Sequence, residues 1–401
     1  MTTAAAANMA LTAPAVVSSE AGGRLASIDI VRGAIMVLMA LDHVRDFVTE
    51  LRFPPENLAQ GSTGLFFTRW FTHFCAPGFF LLAGLGVGLA LNKRRSPAAM
   101  TTYLLTRGGW LLVLELIITP VGWRFGLNFF PAFALVLWAL GWSMILMAAL
   151  VHLPRAVVAA IALVLIGGHN LLDGIQPAAL GSFAWLWHVL HVPGFVIPGK
   201  LLIAYPLIPW IGVMALGFVL ADAYRWDATR RRRLFIWCGA AAVALFVALR
   251  FANAYGNPDA WTAQRTAGLT VSSFLNVRKY PPSLHFLLMT LGPVLIALAM
   301  TERVRGRLGN WLSVYGRVPL FFYVTHIFVA HAAGVLLALA QGGELRRIPI
   351  ITDPGALPEW FGVGLPGVYL AWMLVVIALY FPCRAFARLK ERRRDWWLQY
   401  L

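Results

Sequence analysis

Charged residues and cysteines are both scarce in this sequence. Asp, Glu, Lys and Arg make up 12% of its 401 residues, whereas a soluble globular protein carries about a quarter. So few charges exclude an ordinary water-facing surface around most of the chain. The three cysteines, Cys75, Cys238 and Cys383, lie far apart in apolar segments and form no CxxC pair. This spacing excludes a disulfide framework, and we expect all three to be buried structural thiols.

Acidic residues are scarcer than basic ones, with 17 against 33, so the net charge is +16. A basic excess can indicate binding to nucleic acid. Here the basic residues gather at the ends of apolar segments, which is the distribution of a membrane protein with Lys and Arg on its cytoplasmic side. We therefore expect a lipid bilayer as the partner and no nucleic acid.

Apolar runs are abundant, and hydrophobic residues make up 60% of the chain. Runs of about 18 to 25 residues recur, and each is long enough to cross a hydrocarbon core of about 30 Å as a helix. The sequence predicts an all-α, polytopic integral membrane bundle with about ten transmembrane helices. The expected spans are approximately 26–48, 67–92, 103–122, 129–150, 155–171, 201–222, 234–253, 282–301, 311–339 and 366–388.

Basic clusters set the predicted orientation. Under the ten-span count every strong cluster falls on one side of the membrane, and the positive-inside rule makes that side cytoplasmic. Both termini are then cytoplasmic. The clusters are Lys93 with Arg94 and Arg95, Arg155, Arg225 with Arg230 to Arg233, Arg303 with Arg305 and Arg307, and Lys390 with Arg392 to Arg394.

Composition also divides the chain into three parts. Residues 1–23 contain no Lys or Arg and are rich in Ala, Thr, Ser and Gly. A secretory signal needs a basic start, so this segment is predicted to be a disordered tail. Residues 24–390 form the predicted transmembrane domain, and residues 391–401 form a basic and aromatic cytoplasmic tail. The sequence leaves the oligomeric state open.

Ionisable residues inside the predicted spans lie at two depths. Such residues are costly in lipid and mark functional sites by default. A helix rises about 1.5 Å per residue, which places three arginines near the inner ends of their spans and four histidines in the outer thirds. Arginine binds phosphate with paired donors, and histidine exchanges protons near neutral pH. The inner layer is Arg32, Arg107 and Arg317, and the outer layer is His43, His73, His285 and His326.

The outer end of the first span concentrates charge. Asp42 and Asp46 are four residues apart, and His43 and Asp46 are three apart, so both pairs share a helix face. A carboxylate one turn away can orient an imidazole and fix its tautomer. Structural alternatives stand beside this interpretation: Arg32 can pair with Asp29, Glu115 can neutralise a nearby arginine, and a single histidine can simply pack.

Five stretches carry a family resemblance. The first two are Arg24 to Gly33, which opens the first span, and Thr72 to Gly84, which contains His73 and Pro77. Both resemble the heparan-α-glucosaminide N-acetyltransferase family and its bacterial relatives. The other three resemble the bacterial branch: Tyr205 to Gly212, Lys279 to Ser283, and Tyr315 to His326.

The resemblance implies a multi-helix enzyme that passes an acetyl group from cytosolic acetyl-CoA to a sugar amine across the membrane. Arg32, Arg107 and Arg317 are then candidates for the CoA phosphates. The lysosomal branch has Asn at the position that aligns with His43 and Asp at the position of His73. The catalytic base therefore cannot be carried over by alignment, and the role of His43 rests on its depth and neighbours.

These observations predict an acyltransferase of the bacterial inner membrane, with acyl-CoA as co-substrate and a glycan or other small extracytoplasmic acceptor. His43 is the expected base, oriented by Asp46 or Asp42. His73 or His326 is expected to stabilise the oxyanion or to protonate the leaving thiolate, and an acyl-His intermediate is the alternative. No metal is expected. The rival function is a proton-coupled transporter that uses the intramembrane Asp and His residues as a relay.

Overall fold

Long apolar helices account for most of the chain. The structure is a computed structural model that describes residues 25–93, 96–127, 129–304, 306–343, 358–393 and 395–401. The predicted N-terminal tail at 1–23 lies outside these ranges. The helices are α1 (Ala26–Val48), α2 (Thr63–Thr72), α3 (Cys75–Asn92), α4 (Pro97–Val113), α5 (Thr119–Arg124), α6 (Val136–Leu150), α7 (Arg155–Gly168), α8 (Ala184–Leu190), α9 (Leu207–Leu220), α10 (Ala228–Phe251), α11 (Ala267–Leu275), α12 (Leu284–Thr301), α13 (Arg307–Arg317), α14 (Pro319–Ala340) and α15 (Leu365–Arg392).

The predicted fold class, an all-α polytopic membrane protein, is confirmed. Within the described residues, eight helical segments are long and apolar enough to cross a membrane. The other two predicted spans correspond to α1 and α6. Helix α1 carries too many charged residues to count among the eight apolar segments, and α6 has only 15 residues. Several predicted spans are broken in the structure. α2 and α3 together make one, α13 and α14 another, and α4 continues through a π-helical turn into α5.

A small sheet replaces two predicted helix starts. The strands are β1 (Ala132–Ala134), β2 (Gly194–Ile197) and β3 (Leu201–Ile203), in the order β1-β3-β2. β1 runs parallel to β3, with Ala132 opposite Leu201, and β2 runs antiparallel to β3. The predicted spans at 129–150 and 201–222 were therefore wrong at their first residues, because apolar β-branched or aromatic runs do not distinguish a short strand from a helix.

Helix α1 lies at the centre of the bundle. It packs against α3, α12, α13, α14 and α15. Two glycines allow α1 and α13 to touch through their backbones: a Cβ on Gly33 would lie 1.9 Å from the Leu312 carbonyl oxygen, and one on Gly316 would lie 1.9 Å from that of Asp29. This close approach fixes the depth of α1, and so the depth of the charged residues that it carries.

The cysteines and the C-terminal tail complete the outline. Cys75 and Cys383 are buried as expected, but Cys238 is exposed on α10, so the expectation was wrong for that residue. Its segment faces away from the bundle interior, where an apolar side chain meets lipid. The tail folds back as a short 3₁₀ helix (Trp396–Tyr400), and its Tyr400 carbonyl oxygen accepts a hydrogen bond from Trp110 of α4 at 3.0 Å.

Candidate active site

Two cavities of similar size lie end to end in the bundle. We call the first the inner cavity, of about 380 Å³, and the second the outer cavity, of about 360 Å³. Among the residues that the structure describes, Val136 and Tyr323 are the two that line both. The cavities therefore meet at a single wall made of one residue from α6 and one from α14.

The inner cavity is apolar except for two arginines and two tyrosines. Arg32 and Arg107 line it together with Tyr103. The Arg32 side chain also donates to the Gly316 carbonyl oxygen at 3.1 Å and lies 3.5 Å from Asp29. The remaining lining residues are Met36, Phe79, Leu82, Ala83, Gly86, Val87, Ala90, Met100, Leu111, Val136, Leu137, Leu140, Met144, Pro319, Leu320 and Tyr323.

Arg317, the third arginine of the predicted inner layer, is not among these residues. Its guanidinium donates to Glu391 of α15 at 2.8 Å, on a half-exposed surface. The structure therefore brings together two of the three arginines proposed for CoA. The role of all three stays a prediction.

A histidine that lines the outer cavity, His43, is hydrogen-bonded to the buried His326. His43 Nδ1 lies 2.7 Å from His326 Nε2, and His326 Nδ1 lies 3.1 Å from the Phe322 carbonyl oxygen. A carbonyl can only accept, so His326 Nδ1 carries the proton and its Nε2 is a bare acceptor. His43 must then donate through Nδ1, and its Nε2 holds a lone pair. His43 lines the outer cavity, and its Nε2 has no hydrogen-bond partner among the residues that the structure describes.

The two aspartates beside His43 are held by arginines. Arg45 lies 2.9 Å from Asp42 and 2.7 Å from Asp46, and Arg69 donates to the other oxygen of Asp42. In the structure, the hydrogen-bond partner of His43 is thus His326 and neither aspartate. The predicted orienting role of Asp42 and Asp46 finds no contact to support it, and a charge-assisted bond to arginine holds one oxygen of each carboxylate.

Glu56 joins this network from the loop after α1. It accepts from Arg69 at 2.7 Å and lies 3.9 Å from His73. Burial raises the pKa of Glu56, but the neighbouring His73 and the charge of Arg69 outweigh burial and hold that pKa well below its usual range. Glu56 was missed in the sequence because nothing in a Pro-rich loop marks one carboxylate as part of a site.

Two tyrosines and a lysine close the outer cavity. Tyr205, Lys279 and Tyr280 line it, and the two tyrosine hydroxyls are 3.4 Å apart. Burial raises the pKa of Tyr280, but the charges of Lys279 and Arg69 lower it overall. The motifs Tyr205 to Gly212 and Lys279 to Ser283 had singled out all three residues, although with no role attached.

The other predicted outer histidines lie outside the lining of this cavity. His73 is 2% exposed, and within the described part of the chain neither of its ring nitrogens has a hydrogen-bond partner. His285 bonds to the Tyr255 carbonyl oxygen at 3.1 Å, on the side of α12 that packs near α10. Equal depth along separate helices therefore did not mean proximity, and of the four histidines only His43 and His326 meet among the described contacts.

Glu115 has a role that the sequence did not predict. It is fully buried in the π-helical turn Leu114–Ile118. Its carboxylate accepts hydrogen bonds from the backbone N–H groups of Leu135 at 3.0 Å and Leu137 at 3.2 Å. The expected arginine partner is replaced by the first turn of α6, whose N–H groups and dipole favour a carboxylate.

No group of three or more His, Cys, Asp or Glu side chains is placed to hold a metal ion in the part of the chain that the structure describes. The outer cavity combines a bare imidazole nitrogen with three carboxylates and three cations. The inner cavity combines apolar walls with guanidinium groups. This arrangement suits proton transfer in one cavity and binding of an apolar chain with anionic groups in the other.

Comparison with protein families identifies the family of this chain. A family model described as heparan-alpha-glucosaminide N-acetyltransferase, catalytic, matches residues 24–252, which is more than half of the chain. The match runs from α1 to the end of α10, so it contains Arg32, His43, Arg69 and Arg107. A search of curated proteins found no match.

Proposed function

Because the chain belongs to the family of heparan-α-glucosaminide N-acetyltransferase catalytic domains, a family of transmembrane acyltransferases, we propose that it moves an acyl group from acyl-CoA in the inner cavity to an acceptor in the outer cavity. The acceptor is an amine or hydroxyl of a sugar-type molecule on the extracytoplasmic side. The membrane is the bacterial inner membrane, with both termini in the cytoplasm.

The observation that carries the proposal is the pair of cavities that meet at Val136 and Tyr323. A reaction between a donor on one side of a membrane and an acceptor on the other needs two binding spaces that adjoin within it. The positive-inside rule assigns the inner cavity to the cytoplasmic side, because Arg32 and Arg107 lie towards the helix ends that carry the basic clusters.

The donor suits the inner cavity. Its apolar walls accommodate a chain such as the pantetheine arm, and Arg32 and Arg107 supply donors for phosphate. The thioester end then points towards the outer cavity and His43.

The chemistry follows from the bare nitrogen of His43. The acceptor nitrogen or oxygen attacks the thioester carbonyl carbon, and His43 Nε2 takes the proton from that N–H or O–H group. A new C–N or C–O bond forms, the carbonyl electrons move to oxygen, and their return breaks the C–S bond. The thiolate leaves as CoA and takes the proton back from His43. The products are the acylated acceptor and free CoA, and no further reactant is needed.

His326 serves this step by orienting His43. When His43 becomes an imidazolium, its Nδ1–H donates a stronger, charge-assisted bond to His326 Nε2. Asp42 and Asp46 lie beside the same ring and stabilise its positive charge through space, while the arginines keep them in place.

The test is release of CoA from radiolabelled acetyl-CoA by the full chain in lipid nanodiscs, with glucosamine as the acceptor probe. Wild-type protein is expected to form labelled N-acetylglucosamine, and His43→Gln is expected to lose this activity. His152→Gln is the matched control, since His152 is exposed and lines neither cavity. Full activity of His43→Gln would remove His43 from the mechanism. No CoA release with any amine or hydroxyl acceptor, from protein that is folded, would contradict the function itself.

A proton-coupled transporter is the rival function. Two cavities divided by a thin wall also suit a carrier, but the family assignment favours transfer chemistry. The rival predicts solute-dependent proton flux into vesicles in the absence of acyl-CoA.

An acyl-His43 intermediate would differ from direct attack by leaving label on the protein when the acceptor is withheld.

A further inference from the structure

Val136 and Tyr323 form the wall between the two cavities, which we call the septum. Val136 is the first residue of α6, and Tyr323 lies one turn before His326 on α14. Tyr323 is only 4% exposed. In the described structure no third residue lines both cavities, so the two cavities adjoin at these two residues.

Hydrogen bonds to Glu115 hold the backbone on both sides of Val136. Glu115 accepts the N–H groups of Leu135 and Leu137, which are the residues on either side of Val136. Each bond places a buried carboxyl oxygen on a backbone N–H, so movement of this turn would leave buried polar groups unsatisfied. The first turn of α6 is therefore clamped on both flanks of Val136.

The tyrosine side is held by the histidine pair. The Tyr323 ring packs edge-on against His326, with ring centres 5.6 Å apart, and His326 is itself bonded to His43 and to Phe322. Tyr323 cannot turn towards His326 without disturbing that pair. Both halves of the septum are thus held by hydrogen bonds or packing to neighbouring groups.

We propose that the septum is a filter for the acyl chain, and that it admits an acetyl group and excludes longer acyl groups. The inference rests on the proposed function, because it takes the donor to be in the inner cavity and the base in the outer one. The carbonyl carbon must reach the acceptor beside His43, so the acyl group enters the septum first. Packed protein interiors respond to one added methylene, and a pocket of fixed shape discriminates one methylene by about 10-fold to 200-fold. Glu115 acts as a positioning residue for this filter.

The experiment compares acetyl-, propionyl- and butyryl-CoA as donors, again with glucosamine as the acceptor probe and the full chain in nanodiscs. Val136→Ala widens the septum, and the ratio of kcat/KM for butyryl-CoA to that for acetyl-CoA is expected to rise by about 10-fold or more. Val136→Ile narrows it and is expected to lower the propionyl to acetyl ratio. Opposite responses from two conservative changes at one position cannot come from partial unfolding.

Leu140→Ala is the matched control. Leu140 lines the inner cavity on the same helix but not the outer cavity, so its truncation enlarges the donor space without widening the septum. The variant is free to change KM for every donor, but the ratio between donors is expected to stay as in the wild type. Glu115→Gln keeps the shape and one acceptor oxygen, and it is expected to raise the butyryl to acetyl ratio by less than Val136→Ala does.

The outcomes separate the filter from the function. If the wild type transfers acetyl groups but Val136→Ala changes acetyl and butyryl transfer by the same factor, the filter is wrong and the function stands. An equal change of ratio in Leu140→Ala overturns the filter in the same way. If the wild type turns over no acyl-CoA at all, the proposed function is wrong and the filter with it.

Discussion

The inner and outer cavities have almost the same volume, about 380 and 360 Å³, but opposite chemistry. Mostly apolar side chains wall the inner cavity, and its charged groups are two arginines, Arg32 and Arg107. Helix ends and loops wall the outer cavity, with three carboxylates, three cations and a histidine. Binding of a long flexible donor needs the first kind of surface, whereas proton transfer needs the second. The reaction therefore divides between the two spaces, and changes in each are expected to affect different kinetic constants.

The largest expected effect comes from removing the base in the outer cavity. His43→Gln is expected to lower kcat about 10²-fold to 10⁴-fold, which is the usual contribution of a general base. The KM for acetyl-CoA is expected to stay within about threefold of wild type, since the donor binds in the other cavity. Steady-state kinetics against donor concentration measures both constants. A large rise in KM at unchanged kcat would contradict the assignment of donor binding to the inner cavity and proton transfer to the outer one.

A second variant tests which neighbour orients His43. His326→Ala removes the acceptor of the His43 Nδ1 proton, and loss of a bond to a charged group lowers kcat by about 10-fold to 100-fold. His326→Gln keeps an acceptor oxygen and is expected to recover part of the loss. Asp46→Asn, which changes a residue bonded to Arg45, is expected to have the smaller effect. The reverse order would restore Asp46 to the role that the sequence first gave it.

Substitution of two arginines tests whether the donor binds in the inner cavity. Arg107→Gln is expected to raise the KM for acetyl-CoA about 10-fold, through loss of a charge-assisted bond to phosphate, with little change in kcat. Arg317→Gln is the matched control because Arg317 pairs with Glu391 and does not line the cavity. Equal effects of the two substitutions would mean that donor binding responds only to the overall charge of that face.

The smallest expected effect concerns the stability of the outer network. The pKa of Glu56 lies below its usual value of 4.5 in the folded protein, so ionised Glu56 stabilises the fold at every pH above about 4.5. That stabilisation, about 1.5 kcal/mol for a partly buried charge-assisted bond, is lost as the pH falls further. Glu56→Gln is expected to melt below wild type at pH 7, and the difference is expected to shrink below pH 4.5. Thermal melts in detergent across this range measure it.

Much of the fold could be predicted because lipid imposes strong rules on sequence. Every helix that crosses the bilayer must be long and apolar, so nine of the spans stand out by hydropathy alone, and α1 stands out by its apolar first half. Breaks between helices were less visible. The ends at 132–134 and 201–203 are apolar like their neighbours, and pairing between distant strands leaves no local signal.

The candidate site was predicted in part. Depth along a helix correctly brought His43 towards His326 and Arg32 towards Arg107, because these residues share both a depth and a face towards the bundle centre. Depth alone does not show which way a side chain points around its helix. His285 and Arg317 were therefore placed in layers with residues that they do not contact. Neither sequence spacing nor depth could show that arginines would occupy Asp42 and Asp46.

The charged residues of helix α1 have a consequence for the biosynthesis and membrane insertion of the protein. It carries five charged side chains, and each costs about 2.5 to 3.5 kcal/mol at the centre of a helix that inserts alone. The helices that enclose them include α13, α14 and α15, which lie far downstream of α1 in the chain. At about 5 to 20 residues per second, α1 waits on the order of ten seconds or more for these partners. Helix α1 is therefore synthesised well before it is enclosed, and assembly of the nascent chain depends on whatever shelters it in that interval.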